Sequence, residues 1–240
     1  MKDIPVTDRL IVALDVPEVP AAQALVVKLG NAVDFYKIGM ELCMAPGFFG
    51  LLDWLRGNDK KVFVDLKFFD IPETVARAVA RLSERGAQFC TVHGNQAIMQ
   101  AAARAKTNGM KVLAVTALTS LDRGDLDDLG FQCDVEALVL SRARRALAAG
   151  CDGVVSSGLE VARLRAEAPQ ELIVVTPGIR PVDNDVVSEG GNDQKRVMTP
   201  ARALAAGADY LVVGRPIRDA ADPRAAALSL QSEIAEACAR

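Results

Sequence analysis

Eight short apolar runs recur along the whole chain, and they constrain its fold more than any other feature: Leu10–Leu14, Phe35–Ile38, Val62–Leu66, Phe89–Val92, Val112–Thr116, Gly153–Val155, Leu172–Val175 and Tyr210–Val213. Most are rich in β-branched or aromatic residues, and all are too short for a stable helix. Their apolarity is continuous rather than alternating, the pattern of strands buried on both faces of a parallel sheet. Helical patterning fills the intervals. Ala22, Leu25, Val26 and Leu29 follow the i, i+3, i+4, i+7 spacing before Gly30. Phe48, Leu51, Leu52 and Leu55 repeat it before Gly57, and Ile98, Ala101, Ala102 and Ala105 repeat it before Gly109. Thr199-Pro200 reads as an N-cap followed by proline at the first helical position, with Gly207 as the stop.

Strands alternating with helices imply parallel strands joined by crossovers. A (β/α)8 barrel of the α/β class uses all eight runs in one domain, here residues 1–240. Such barrels commonly fill about 250 residues. The rival, a doubly wound open sheet, lacks the G-x-G-x-x-G turn expected after its first strand. One long irregular stretch, Pro181–Lys195, follows the seventh strand, where barrels often place a phosphate-binding lid.

Composition narrows the function. A formal net charge of −3 offers no basic excess to neutralise a nucleic-acid backbone, so no nucleic-acid partner is expected. The five cysteines are scattered, without a C-x-x-C pair, as in a reducing compartment. A single histidine, His93, gives little support to a His-based zinc site or a Ser-His-Asp triad. With no apolar signal core at the start and no run long enough to span a membrane, the expectation is a cytoplasmic protein without a membrane partner.

In a barrel, reactive groups gather at the carboxyl ends of the strands. Those positions hold Asp15, Lys37, Asp65, Lys67, His93, Thr116, Thr119, Ser156, Thr176, Arg180, Gly214 and Arg215. The segment Asp65-Leu66-Lys67-Phe68-Phe69-Asp70 places three charges within six residues of apolar sequence. Strand alternation sets Asp65 and Lys67 on one face. Alone, that pair reads equally well as an ordinary ion pair, and Asp70, with Glu73 three positions on, reads first as a helix N-cap. The addition of Asp15 and Lys37 shifts the balance, because two lysines and three aspartates on one rim exceed what packing needs.

Blander readings hold elsewhere. His93 is read as a hydrogen-bonded core residue, Ser156 and Ser157 as turn and cap residues, and Arg142, Arg144 and Arg145 as a helix face turned to water. Gly214-Arg215 after the eighth run reads as a phosphate grip in preference to a surface arginine in a loop: glycine admits close backbone approach and arginine binds an oxyanion through paired hydrogen bonds.

The ordered set Leu14-Asp15-Val16, Tyr36-Lys37-Ile38-Gly39, Asp65 to Thr74, Thr116-Ala117-Leu118-Thr119-Ser120, Thr176-Pro177-Gly178-Ile179-Arg180, Asp193-Gln194-Lys195-Arg196 and Val213-Gly214-Arg215-Pro216-Ile217 resembles the orotidine 5′-phosphate decarboxylase family along nearly the entire chain. The resemblance implies decarboxylation of orotidine 5′-monophosphate to uridine 5′-monophosphate, without metal or organic cofactor. It makes Lys67 the proton donor, flanked by Asp65 and by an Asp70 reaching in from the partner of a homodimer. Lys37 completes that charged array and, with Asp15, holds ribose hydroxyls. Thr74 also comes from the partner, Thr119 touches the base, and Arg180, Gln194, Gly214 and Arg215 hold phosphate and close the lid. Two departures stand out: the Arg180–Gln194 stretch is several residues longer than in enterobacterial-type members, and small residues are fewer after His93. The alternatives are a metal-dependent sugar-phosphate decarboxylase or aldolase of the same superfamily, disfavoured by Lys37 where those enzymes carry a glutamate ligand, and a non-catalytic barrel that binds a phosphate ligand.

Overall fold

The computed structural model of the chain describes residues 2–181 and 197–239. The strands are β1 (Leu10–Ala13), β2 (Phe35–Ile38), β3 (Lys61–Phe68), β4 (Phe89–Val92), β5 (Lys111–Val115), β6 (Gly153–Val155), β7 (Ile173–Thr176) and β8 (Tyr210–Val213). All are parallel, and each pairs with its sequence neighbour. β8 returns to β1 through Leu10↔Leu211, Ile11↔Val212 and Val12↔Val213, so the sheet closes and the open-sheet rival is excluded.

Among the described residues the helices are α1 (Val19–Leu29), α2 (Met40–Met44), α3 (Phe48–Gly57), α4 (Pro72–Glu84), α5 (Gln96–Ala105), α6 (Arg123–Asp128), α7 (Val135–Ala148), α8 (Gly158–Glu167), α9 (Pro200–Ala205), α10 (Arg215–Arg218) and α11 (Pro223–Cys238). Polar caps start several of them. Asn95 accepts from the Ile98 N–H to open α5, and Thr199 accepts from Arg202 N–H to open α9. Two of the three residues His93-Gly94-Asn95 thus have local duties: Asn95 caps, and Gly94 takes φ 110°, which disfavours any side chain.

The two faces of each strand serve two cores. Leu10, Val12 and Leu14 point outward and pack under the helices. Ile11, Ala13, Phe35, Phe63, Phe89, Leu113, Val175 and Val212 point inward and fill the barrel. An aromatic plug dominates this inner core: Phe89 lies 5.0 Å from Phe35 and 5.1 Å from Tyr210, ring centroid to ring centroid, and 5.9 Å from Phe63. Edge-to-face contacts of this kind add to simple area burial. Replacing Phe89 with alanine removes the ring that all three others touch, and should lower the free energy of unfolding by about 3–5 kcal/mol, measured as a lower midpoint in urea.

One helix face departs from expectation. Arg144 and Arg145 are exposed, as a solvated face requires, but Arg142 turns inward and is half-buried. Its acceptors lie at the ends of β4 and β5, a tertiary circumstance that a local charge pattern does not encode.

Candidate active site

The carboxyl ends of the strands enclose a cavity of about 560 Å³. The ring of Phe63, at the top of the plug, belongs to its lining together with the small or branched side chains of Ala13, Val115, Val155 and Val212. Above this apolar floor stand Asp15, Lys37, Asp65, Lys67, Thr119, Arg180, Gly214 and Arg215, all of which were expected here from the sequence.

The charges alternate in sign. Lys37 Nζ lies 2.9 Å from Asp15 Oδ1 and 3.8 Å from Asp65 Oδ2, and Lys67 Nζ lies 3.0 Å from Asp65 Oδ1. Gly39 allows this packing, since a Cβ there would meet Lys37 Nζ at 3.2 Å and Asp15 Oδ1 at 3.3 Å. The Asp65 side chain is only 14% exposed. Burial works to raise its pKa, yet the ammonium groups of Lys37 and Lys67, with hydrogen bonds from Lys67 and Thr91, outweigh burial and hold it below the usual carboxylate value. A depressed folded-state pKa contributes stability that is fully present above the unfolded value near 3.8 and is lost as pH falls through the lower folded value. Asp65→Asn should therefore flatten part of the acid limb of stability against pH, measured by urea unfolding below pH 4.

Simple strand alternation does not bring Lys67 to Asp65. The β3–β4 register shifts between Val64 and Phe68, and Lys67 takes a left-handed φ of 49°. That conformation costs a non-glycine residue about 1–2 kcal/mol. Thr91 offsets part of the cost: its Oγ1 accepts the Lys67 N–H at 2.9 Å and donates to Asp65 Oδ1 at 2.8 Å. Sequence reasoning missed Thr91, because within an apolar run a threonine looks like β-branched filler. Arg218 was missed as well. It lines the cavity, grips Asp219 through Nε at 2.6 Å and Nη2 at 2.9 Å, and donates to the Asp15 carbonyl. Its position three residues after Arg215, on a neighbouring part of one helical face, was the available signal.

Asp70 and Thr74 lie outside this cluster. Both are exposed and neither lines the cavity. Asp70 is not the helix cap: Ile71 holds the N-cap position of α4, and Asp70 Oδ1 accepts from the adjacent Ile71 N–H, at 2.6 Å. Around them Phe69 is 68% and Ile71 65% exposed. Gln194 and all of Pro181–Lys195 except Pro181 fall outside the described residues. Ser156 lines the cavity, and its buried hydroxyl, like that of Thr176, makes no hydrogen bond among the described residues. Also among the described residues, no three His, Cys, Asp or Glu side chains gather as a metal site would need, and no helix is long and apolar enough to cross a membrane.

Comparison with known proteins agrees with this geometry. The family model described as orotidine 5′-phosphate decarboxylase / HUMPS family matches residues 8–230. The orotidine 5′-phosphate decarboxylase of Methylococcus capsulatus is 66% identical over 233 residues, covering 97% of this chain and 94% of that protein. The protein of the same name from Rhodopseudomonas palustris strain HaA2 is 54% identical over 231 residues, covering 96% of each. Among solved structures, the orotidine 5′-phosphate decarboxylase of Lactobacillus acidophilus superposes with a TM-score of 0.82 at 34% identity, covering 95% of this chain and 99% of the other.

Proposed function

The chain belongs to the orotidine 5′-phosphate decarboxylase / HUMPS family, and from that membership we propose that it converts orotidine 5′-monophosphate to uridine 5′-monophosphate and carbon dioxide, with Lys67 as the proton donor. The observation that carries this reading is the alternating series Asp15, Lys37, Asp65, Lys67 at the cavity mouth.

The chemistry follows from charge. The bond between ring carbon six and its carboxylate breaks, carbon dioxide leaves, and the electron pair stays on carbon six. The Lys67 ammonium faces that developing carbanion, stabilises it, and gives it a proton, becoming a neutral amine that water later reprotonates. Asp65 repels the departing carboxylate. Two like charges about 4 Å apart interact by roughly 4 kcal/mol at an effective dielectric of 20, which converts to about a thousandfold in rate at most. Larger accelerations must come from the transition state, so preorganised Lys67 ranks above repulsion. Asp15 and Lys37 hold ribose hydroxyls, Thr119 contacts the base, and Arg180, Gln194, Gly214 and Arg215 hold phosphate, whose binding energy keeps the ring in place.

The same proposal includes a homodimer in which Asp70 and Thr74 complete the partner's site. Their exposure outside the cavity and the apolar Phe69 and Ile71 beside them support it. A single catalytic domain over residues 1–240 and action in a reducing cytoplasm, in keeping with five free cysteines, belong to it too.

Purified protein incubated with orotidine 5′-monophosphate and excess chelator, followed by base absorbance, tests the function. Undiminished turnover is expected. Activity abolished by the chelator would favour the metal-dependent sibling reaction, against which the Lys37 ammonium between Asp15 and Asp65 already argues. No turnover under any condition would leave a ligand-binding barrel.

A further inference from the structure

His93 and Arg142 take no part in the reaction as derived, yet they stand between two segments that do. The His93 N–H bonds the Phe68 carbonyl at 3.0 Å, tying the end of β4 to the end of β3. Its ring meets Phe69 edge-on, with centroids 5.7 Å apart. Gly94 makes room for that contact, since a Cβ there would lie 2.6 Å from Phe69 Cδ2. On the other side, His93 Nε2 lies 3.2 Å from Arg142 Nη1. The same Nη1 donates to the Thr116 carbonyl at 2.7 Å, and the guanidinium carbon sits 5.5 Å from the centre of the Phe131 ring.

Thr116 is the hinge of the matter. Its N–H and hydroxyl are already anchored on the Val155 carbonyl, at 3.2 and 2.9 Å. Its carbonyl is the last before Ala117, Leu118 and Thr119, which form one wall of the cavity. We propose that Arg142 is a positioning residue: through one guanidinium it fixes the Thr116 carbonyl, and with it the Leu118–Thr119 wall, against the His93 imidazole that backs the turn carrying Phe69 and Asp70. For its kinetic consequence this rests on the decarboxylase reading above.

The chemistry of the contact is specific. A guanidinium has only donors, so Nε2 must accept and the ring proton must reside on Nδ1. Burial first, then the positive charges of Arg142 and Lys67, hold the His93 pKa below the ordinary histidine value, which keeps the imidazole neutral and able to accept. A planar fork can serve carbonyl and imidazole together, whereas a lysine ammonium holds the charge with less fixed geometry.

Arg142→Met keeps the apolar stem and removes every donor. For orotidine 5′-monophosphate, kcat should fall about ten- to hundredfold, the loss expected for charge-assisted hydrogen bonds, with KM changed by less than about threefold. Arg142→Lys should recover part of kcat. His93 is the only histidine of the chain, so its imidazole ¹⁵N spectrum is read without overlap and without substrate. The wild type should show the Nδ1–H form, and Arg142→Met should raise the His93 pKa. An unchanged kcat, an imidazole spectrum indifferent to Arg142→Met, or a wild-type Nε2–H form overturns the proposal. If Arg142→Met does not fold, His93→Gln, which can accept the same bond, against His93→Leu, which cannot, carries the comparison. Absence of decarboxylation by the wild type would overturn the functional reading, while the spectrum still decides whether Arg142 holds His93.

Discussion

Lys67→Ala should lower turnover of orotidine 5′-monophosphate by roughly 10⁴-fold or more, the combined scale of a lost proton donor and a lost preorganised charge. The expectation rests on position: Lys67 Nζ is 3.0 Å from the buried carboxylate it flanks, on a backbone bent into a left-handed turn to reach it. Binding of uridine 5′-monophosphate should change far less, because the residues proposed to hold phosphate and ribose are other ones on the rim. Calorimetric titration of the product beside a single-turnover assay separates the two effects. Asp65 would keep Lys37 at 3.8 Å and the Thr91 hydroxyl at 2.8 Å, so the variant retains partners for its buried charge and is expected to fold. Wild-type-like turnover would defeat the mechanism.

The second large effect belongs to the phosphate end. Arg215→Ala should reduce kcat/KM by about 10²- to 10³-fold, the value of paired charge-assisted hydrogen bonds to an oxyanion. Arg215 lies on the cavity rim beside Gly214, just after β8. Guanidinium ion supplied in solution, which returns the missing donor, should partly restore the variant's turnover, and a substrate lacking the phosphate should be nearly indifferent to the substitution. Failure of both results would mean that Arg215 grips something else.

Much of the architecture was legible because burial on two faces writes itself into sequence as unbroken apolar runs, and each of the eight strands overlaps one such run. Lys37, Asp65 and Lys67 were legible because charges at the ends of such runs are costly without partners. The geometry that joins them was not. Strand alternation suggests that Asp65 and Lys67 share a face, but the contact depends on a register shift against β4 and on Thr91, a residue 24 positions away from Lys67. Asp70 resembles a cap by local pattern, yet the helix begins one residue later and leaves its carboxylate outside. Arg142 fits a solvated face by its neighbours, while its partners, His93 and the Thr116 carbonyl, stand just beyond the ends of β4 and β5. For Lys67 and Arg142 a local signal met a long-range contact, and the contact decided.

The tilted and edge-to-face rings of Phe35, Phe63, Phe89 and Tyr210 plug the barrel beneath the cavity. If Lys67 is the donor as proposed, hydrogen for the pyrimidine comes from the cavity side of that plug, and once a ligand covers the mouth the stock at hand is what the amino group of Lys67 already carries. In mixed light and heavy water, the label found at carbon six would report the isotopic makeup of that nitrogen at the moment of closure rather than that of the surrounding bath.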